Sequence, residues 1–406
     1  MFGDAAERLG VSLVFATDRC HVLADPWVDG AIPVKFHDEA ASVGAIVDAA
    51  RIEPIDGILA VGDRPTVLGA LAADALGLPG HPPDAARTAA NKRLMRERIG
   101  AAGLPIPTVT TWHVDADAHA VASAVQYPCV VKPIALSASR GVIRADSPLT
   151  CAAAFERVRR LLARPEIRAL RDPANDWVAI EDFIPGGEYA LEAILEHGWL
   201  RPLALFDKPA PLDGPFFEET IYATPSSLPA IQQEAIVDAV RGAAAAIGLR
   251  HGPIHAECRV NDRGVFILEV AARPIGGLCA RVLRFGDGNT AFEELLLRHA
   301  AGGSVEGYTR EACAAGVMMV PIPRGGVYRR VSGVEDAKAV RGIDEVLITA
   351  KPDQHLEPLP EGGSYLGFIF ARASARDDVV SALEQAHGRL NFVIDAPIRV
   401  DAGLAG

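Results

Sequence analysis

Two glutamates, Glu257 and Glu269, flank the tripeptide Asp262-Arg263-Gly264 within HAECRVNDRGVFILEVAARPIGG, residues 255–277. The runs on either side alternate with period two, and Gly264 supplies the left-handed residue that a three-residue hairpin loop wants. Pairing Asn261 with Val265 sets Arg259 against Ile267 and Glu257 against Glu269. One face of the ribbon then carries Ala256, Cys258, Val260, Phe266, Leu268 and Val270. The other carries His255, Glu257, Arg259, Glu269 and Arg273. Carboxylates opposed in this way lie about 5 Å apart at Cβ. At an effective dielectric of about 20 they repel by about 3 kcal/mol. Either one takes up a proton, or a divalent cation sits between them, or Arg259 and Arg273 neutralise a solvated face. Carboxylate oxygens suit Mg²⁺ or Mn²⁺, and Mg²⁺ commonly takes one or two of them together with substrate phosphates.

A phosphate would need cations. Lysine occurs at only six positions, against a large excess of arginine. Lys132 ends the apolar run Cys129-Val130-Val131 and precedes Pro133. A slender ammonium there can reach a phosphate from a packed strand, or simply run out to water. The small residues that follow, Ser137 to Val142 with Ser139 and Gly141, form a loop whose amides and hydroxyls can cradle phosphate oxygens. Next comes Glu181-Asp182-Phe183-Ile184, then the turn Pro185-Gly186-Gly187, then Glu188. The backbone at such a crossing can hydrogen-bond an adenine ring, and a carboxylate can accept ribose hydroxyls; an ordinary acidic turn has the same composition.

The elements that must position these residues follow from patterning. Residues 11–16 and 57–61 read as strands, and 40–50 and 66–76 as helices, the latter stopped by Gly77. That is βαβ rhythm and a small parallel sheet. No GxGxxG and no Gly-Lys dipeptide occurs, which leaves a dinucleotide fingerprint or a Walker A loop without support. Residues 85–103 read as one helix. Strands at 128–133 and 177–184 enclose a helix at 149–163, with 164–176 an exposed connection. Residues 188–195 and 200–206 form a hairpin turning at His197-Gly198, and 208–229 is a long loop of the kind that serves as a lid. A helix at 231–247 leads into the glutamate hairpin. From about Glu311 short strands and one helix at 377–388 suggest a separate C-terminal unit.

With 406 residues and half of them apolar, the chain has room for two to four domains and a substantial core. A formal charge of −12 argues against a nucleic-acid groove. Cys20, Cys129, Cys151, Cys258, Cys279 and Cys313 are scattered without CxxC or zinc spacing and read as reduced thiols. The first residues carry acids where a signal peptide needs positive charge, and no apolar run approaches a membrane span. A cytoplasmic protein is expected.

Taken in order, Lys92, VVKP with its small loop, the ExxI-P-G-G-E run, HAE and LEVAARPIGG resemble the ATP-grasp superfamily. The RPIGG run and YLGFIFA at 365–371 look most like the biotin carboxylase-like L-amino acid ligases. The resemblance covers essentially the whole chain. It implies an α/β (α+β) ATP-grasp fold in three parts: a Rossmann-like domain at 1–90, an ATP-grasp core at 91–305 with a lid near 106–187, and a small α+β domain at 306–406.

The site residues it implies are specific. Lys92 and Lys132 hold ATP phosphates beneath the Ser137–Val142 loop. Glu181, Asp182, Phe183 and Ile184 meet adenine, and Glu188 the ribose. Glu257 and Glu269 bind Mg²⁺ or Mn²⁺. Arg273, with the Gly276 and Gly277 amides, holds the carboxylate and the acyl phosphate made from it, and a loop containing Glu218 closes over the substrates. His255 either takes the amine's proton or supports the metal side. Ala271 departs from the family, many members of which place Asn there as a further ligand. The Val-Glu-His continuation of true biotin carboxylases is also missing.

The implied activity is ADP-forming ligation of a small-molecule carboxylate to an amine, on L-amino acids. Two other readings stay open: an ATP-grasp carboxylase or ligase of a non-amino-acid carboxylate, and an ATP-binding protein without turnover, for which Ala271 is the cue.

Overall fold

The computed structural model describes residues 2–18, 31–286 and 288–396, so Cys20 lies outside the described residues. Strands Phe15–Thr17 and Ala31–Pro33 pair in parallel beside helices Glu39–Ile52 and Thr66–Leu76. Gly77, at φ 67°, ends the second helix in the left-handed conformation. The strand expected at 57–61 does not form. Ile58 joins the small apolar core there, but the backbone at Gly57 is pressed onto a neighbouring helix end. A Cβ at that position would lie 1.9 Å from the Ala300 carbonyl oxygen.

The single helix expected over 85–103 is two, Pro83–Ala89 and Lys92–Ala101. Asn91 stands between them in an extended conformation and accepts hydrogen bonds from the Arg93 and Leu94 amides. An amide side chain that satisfies free N–H groups competes well with helix continuation, so the break is local chemistry. Its effect is to put Lys92 at the first turn of the second helix.

Strands Val109–His113, Trp177–Asp182, Cys129–Pro133 and Ile143–Ala145 make an antiparallel sheet in that spatial order. Helix Pro148–Leu162 covers it, with Phe155, Val158 and Leu162 packed on Val131, Val178 and Ile180. The connection at 164–176 contains a short helix, Pro165–Arg168, and a 3₁₀ turn, Pro173–Asp176.

The largest element is an antiparallel sheet of eight strands, in the order Gly264–Ala271, Gly252–Asn261, Gly187–Glu196, Trp199–Lys208, Ile221–Thr224, Ala314–Val320, Gly367–Ala373 and Ile343–Ile348. His197 (φ 51°) and Gly198 (φ 93°) make the tight turn of its central hairpin. The 208–229 segment is not an unbroken loop: Ile221–Thr224 is a fully buried strand within it. That strand pairs with Ala314–Val320, so the sheet crosses position 306 without interruption. Helix Ala230–Ile247 covers one face, where Ile236, Val240 and Ile247 meet Leu191, Ile254 and Ile267.

The glutamate hairpin departs from the expected register near its tip and meets it at the glutamates. Asn261 pairs with Gly264, leaving a two-residue loop, and Arg259 pairs with Phe266. A β-bulge beyond Cys258 and Ile267 takes up Leu268 and brings Glu257 opposite Glu269. The buried face therefore carries Val265, Ile267 and Val270 rather than Phe266 and Leu268. Phe266 instead lies under the Arg263 guanidinium.

Candidate active site

A cleft of about 610 Å³ opens between the four-stranded sheet and the glutamate hairpin. Of the residues singled out from sequence, Lys92, Lys132, Ser137, Ser139, Val142, Glu181, Asp182, Phe183, Ile184, Glu188, His255, Glu257, Glu269, Arg273, Gly276 and Gly277 all line it. Gly141 and Glu218 do not.

Gly141, at φ 72°, is turned into the fold, where a Cβ would collide with the Pro133 ring at 2.8 Å. Its amide donates to the Pro360 carbonyl at 2.7 Å. Glu218 gives way to its neighbour: Glu219 faces the cleft, where it meets Lys208 and Tyr222. Leu268 also lines the cleft, an outcome of the bulge that no alternation rule contains.

At one end, strand Cys129–Pro133 delivers Lys132 and helix Lys92–Ala101 delivers Lys92. The Lys92 ammonium donates to the Leu136 carbonyl at 2.9 Å and stands 3.7 Å from Glu269. The Lys132 ammonium is 2.6 Å from Glu181, whose other oxygen is 3.0 Å from the fully buried Arg96. Burial would raise the Glu181 pKa, but Arg96 and Lys132 overcome it and hold the group near 2. The Glu181 carboxylate thus lines the cleft with both oxygens engaged by Lys132 and Arg96. Asp182, Phe183, Ile184 and Leu268 line the neighbouring part of the cleft. In the loop above, Ala138 and Ser139 both adopt left-handed φ near 55°.

At the centre, strand Trp199–Lys208 brings in a lysine that patterning gave no reason to choose. The Lys208 ammonium lies 2.8 Å from each of Glu188, Glu219 and Glu257. Tyr222 donates to Glu219 at 2.7 Å and reaches Glu257 at 3.2 Å. Arg259 pairs with the other oxygen of Glu188 at 3.0 Å. Burial favours neutral groups here, yet Lys208 and His255 hold Glu257 well below its usual range. Glu219 is raised by burial and by Glu257. One oxygen each from Glu188, Glu219 and Glu257 fall within 4.8 Å of one another, a donor set of hard oxygens.

His255 is buried between glutamates, bonded to Glu192 and 3.3 Å from Glu257. Burial alone would lower its pKa, but Glu192 and Glu257 bring it up to about 9. A ring already protonated at neutral pH is a poor acceptor for an amine's proton, so of its two expected roles the supporting one matches the geometry. Beyond it, Arg273 pairs with Asp63 at 2.6 Å. The turn after Arg273 is tied down where the Ile275 amide donates to Glu192 at 3.0 Å.

Lys208, Glu219, Tyr222 and Asp63 were absent from the sequence-derived set. The scarcity of lysine was a usable signal for Lys208. The other three are brought in by strand order and by the contact of residue 63 with the core, which spacing does not reveal.

Cysteines 129, 151, 258 and 279 are free and buried and Cys313 is free and partly buried, in keeping with reduced thiols. Among the described residues no helix is long and apolar enough to cross a membrane.

Three domain families match in sequence: an ATP-grasp N-terminal domain at 3–80, an ATP-grasp domain at 125–282, and L-amino acid ligase C-terminal domain 2 at 293–395. The crystal structure of an L-amino acid ligase from Bacillus licheniformis superposes with a TM-score of 0.82 at 26% identity, over 97% of this chain and 95% of that one. Alanine–anticapsin ligase of Bacillus subtilis is 29% identical over 66% of this chain and 60% of its own length. Carnosine synthase 1 of Gallus gallus is 30% identical over 61% of this chain and 27% of its own. The chain thus spans less than two thirds of either curated relative. The order of the three matched domains and the superposition agree, and the chain belongs to the ATP-grasp superfamily, with the C-terminal domain of L-amino acid ligases.

Proposed function

We propose that this protein is an ADP-forming carboxylate–amine ligase that joins L-amino acids through an acyl phosphate. The observation that carries the reading is the 3.7 Å approach of Lys92 to Glu269 across the cleft. A phosphate-seeking cation and a metal-seeking carboxylate meet there, with Arg273 and the glycine turn on the same wall. The likeness to L-amino acid ligase and to alanine–anticapsin ligase supports it.

In this reading the adenine lies against Asp182, Phe183, Ile184 and Leu268. Lys92 and Lys132 hold the phosphates under the loop carrying Ser137, Ser139 and Val142. Glu257 and Glu269 fit a divalent cation by the chemistry of their oxygens, and Mg²⁺ or Mn²⁺ there would offset the charge of the triphosphate. With Ala at 271 the protein offers no amide ligand beside Glu269.

Arg273 orients the substrate carboxylate. A carboxylate oxygen attacks the γ-phosphorus, the bond to the bridging oxygen breaks, and ADP leaves. The nitrogen of the second amino acid then attacks the acyl carbon. The carbon–oxygen bond to phosphate breaks, and the surplus nitrogen proton departs with the phosphate. Such transfers need alignment and charge neutralisation more than a covalent protein group, which this cleft supplies. His255, held protonated between Glu192 and Glu257, fixes the metal-side carboxylates rather than moving the proton.

The test is incubation with ATP, Mg²⁺ and pairs of L-amino acids, reading ADP, phosphate and products by mass spectrometry. Dipeptide formed together with ADP and phosphate supports the reading. ADP release with bicarbonate and a carboxylated product, or no ADP with any acid, overturns it.

A further inference from the structure

Arg259 lies two residues beyond Glu257 on the same strand and has no part in the chemistry proposed above. It is buried, at 3% exposure. Three adjacent strands set it in a row with Glu188 and Lys208. Arg259 faces Glu188 across one ladder, and Glu188 faces Lys208 across the next. The guanidinium divides its donors among three separate pieces of chain. Nε donates to Glu188 at 3.0 Å, Nη1 to the Ile184 carbonyl at 2.8 Å, and Nη2 to the Leu212 carbonyl. Its carbon lies 5.0 Å from the Phe183 ring centroid and 5.7 Å from that of Phe217.

Leu212 belongs to the connection 209–220 between strands Trp199–Lys208 and Ile221–Thr224, which sends Phe217 and Glu219 into the cleft. Residues 213–216 of this connection are fastened to the edge of the four-stranded sheet. The Arg144 amide donates to the Pro215 carbonyl at 2.9 Å, Arg144 Nη1 donates to the Asp213 carbonyl at 2.8 Å, and Ile143 bridges to Phe216. Leu212, the next residue inward, is held by Arg259.

We infer that Arg259 is a positioning residue, whose single guanidinium ties the 209–220 connection to the adenine wall so that a bound nucleotide orders the connection for the acid. The inference rests on the nucleotide placement of the ligase reading. An adenine packed on Asp182, Phe183 and Ile184 immobilises the backbone that presents the Ile184 carbonyl. The guanidinium bonded to that carbonyl carries the constraint to Leu212. An acid arriving second meets a connection that has already lost its freedom, and binds more tightly for it. A planar fork serves three diverging acceptors, whereas an ammonium drawn to Glu188 leaves the Ile184 and Leu212 carbonyls unserved. Glu188 keeps Lys208 at 2.8 Å when the guanidinium is removed, so no buried carboxylate is stranded.

Hydrogen–deuterium exchange of the 209–220 amides reads the tether, with and without Mg²⁺ and adenylyl imidodiphosphate, a non-hydrolysable ATP analogue. In the wild type the analogue slows exchange there roughly tenfold, a usual scale for coupling between sites. In Arg259→Lys most of that protection is lost, while calorimetry finds the analogue bound nearly as tightly as by the wild type. The KM for the amino acid that gives most dipeptide rises roughly tenfold in this variant, and the KM for ATP stays close to its original value. Arg259→Met keeps the stem against Phe183 and Phe217 and loses the protection too; should it fail to fold, the lysine variant decides alone. Protection retained in the variants, or absent in the wild type, overturns the assignment. So does analogue affinity that falls as far as protection does, since Arg259 then merely props the nucleotide wall. Failure of the ligase reading shows separately, as analogue bound but no ADP formed with any acid, and leaves the exchange result standing. Wild-type protein that binds no analogue defeats the nucleotide placement, and the inference with it.

Discussion

Glu257 and Glu269 face each other across one hairpin, yet their carboxylates have different cations: Lys208 at 2.8 Å from Glu257, Lys92 at 3.7 Å from Glu269. The repulsion expected between opposed carboxylates is relieved by lysines from two distant elements. Glu269 has the looser partner and the more exposed side chain, 23% against 17%. It is the one freer to turn toward a metal.

Glu269→Gln therefore keeps the fold and lowers kcat for ADP formation by roughly a hundredfold or more. Steady-state ADP release beside an unchanged thermal melt checks this. Wild-type turnover in that variant ends its assignment as a metal ligand.

Lys132 and Arg96 share Glu181 but separate in their expected effects. Lys132→Ala leaves Glu181 paired with Arg96 and weakens ATP binding, measured by calorimetry. Arg96→Ala strips a fully buried carboxylate of its buried guanidinium and costs about 3–5 kcal/mol of stability. Denaturant titration of both variants distinguishes a ligand contact from a structural one.

Two buried histidines bracket the pH optimum of stability. His255 is raised to about 9 from an ordinary value of about 6.5. Its charged form is favoured by folding, so its contribution is complete below about 6.5 and is lost as pH rises through 9. His81 runs the other way. Its Nδ1 accepts the Arg250 amide at 3.2 Å and its Nε2 faces the Pro253 carbonyl at 3.3 Å, an arrangement that suits a neutral ring. Burial lowers it to about 4, so stability falls as pH drops from 6.5 toward 4. Melting temperature should peak near neutrality. His255→Gln flattens the alkaline limb and His81→Gln the acid limb; limbs unchanged by these variants would refute the assignments.

The Ser137–Val142 loop and helix Pro148–Leu162 behind it are strapped from the far side of the chain. Glu357 pairs with Arg164 through two 2.7 Å hydrogen bonds, Glu361 pairs with Arg157, and the Glu361 carbonyl accepts from Arg140 at 2.9 Å. Glu357→Ala with Glu361→Ala should loosen this cover and let water compete for the acyl phosphate. Phosphate released per amide formed then rises above the wild-type ratio. An unaltered ratio would show that the strap does not restrain the cover.

Much of this was legible because it is local. The alternation around Glu257 and Glu269 gives their common face, whereas Asn91, a helix cap in the midst of the single helix expected over 85–103, goes unread. What could not be read is where local patterns are overruled. The tight turn at Asp262-Arg263 shifts the register by one residue, and the bulge at Leu268 shifts it back, which moves Leu268 from core to cleft. Nothing in the sequence separates Glu218 from Glu219, because the orientation of an irregular loop has no period. Lys208, Tyr222 and Glu219 meet through strand order, a long-range property absent from any window of sequence.

The sheet that crosses position 306 has an evolutionary corollary. The residues proposed to face the nucleotide all precede that point, whereas Met319, Tyr365, Phe368 and the strap all follow it. The two portions are joined by the ladder from Ala315↔Thr224 to Met318↔Ile221. Drift in the last hundred residues thus reshapes one side of the cleft while the proposed nucleotide contacts stay untouched.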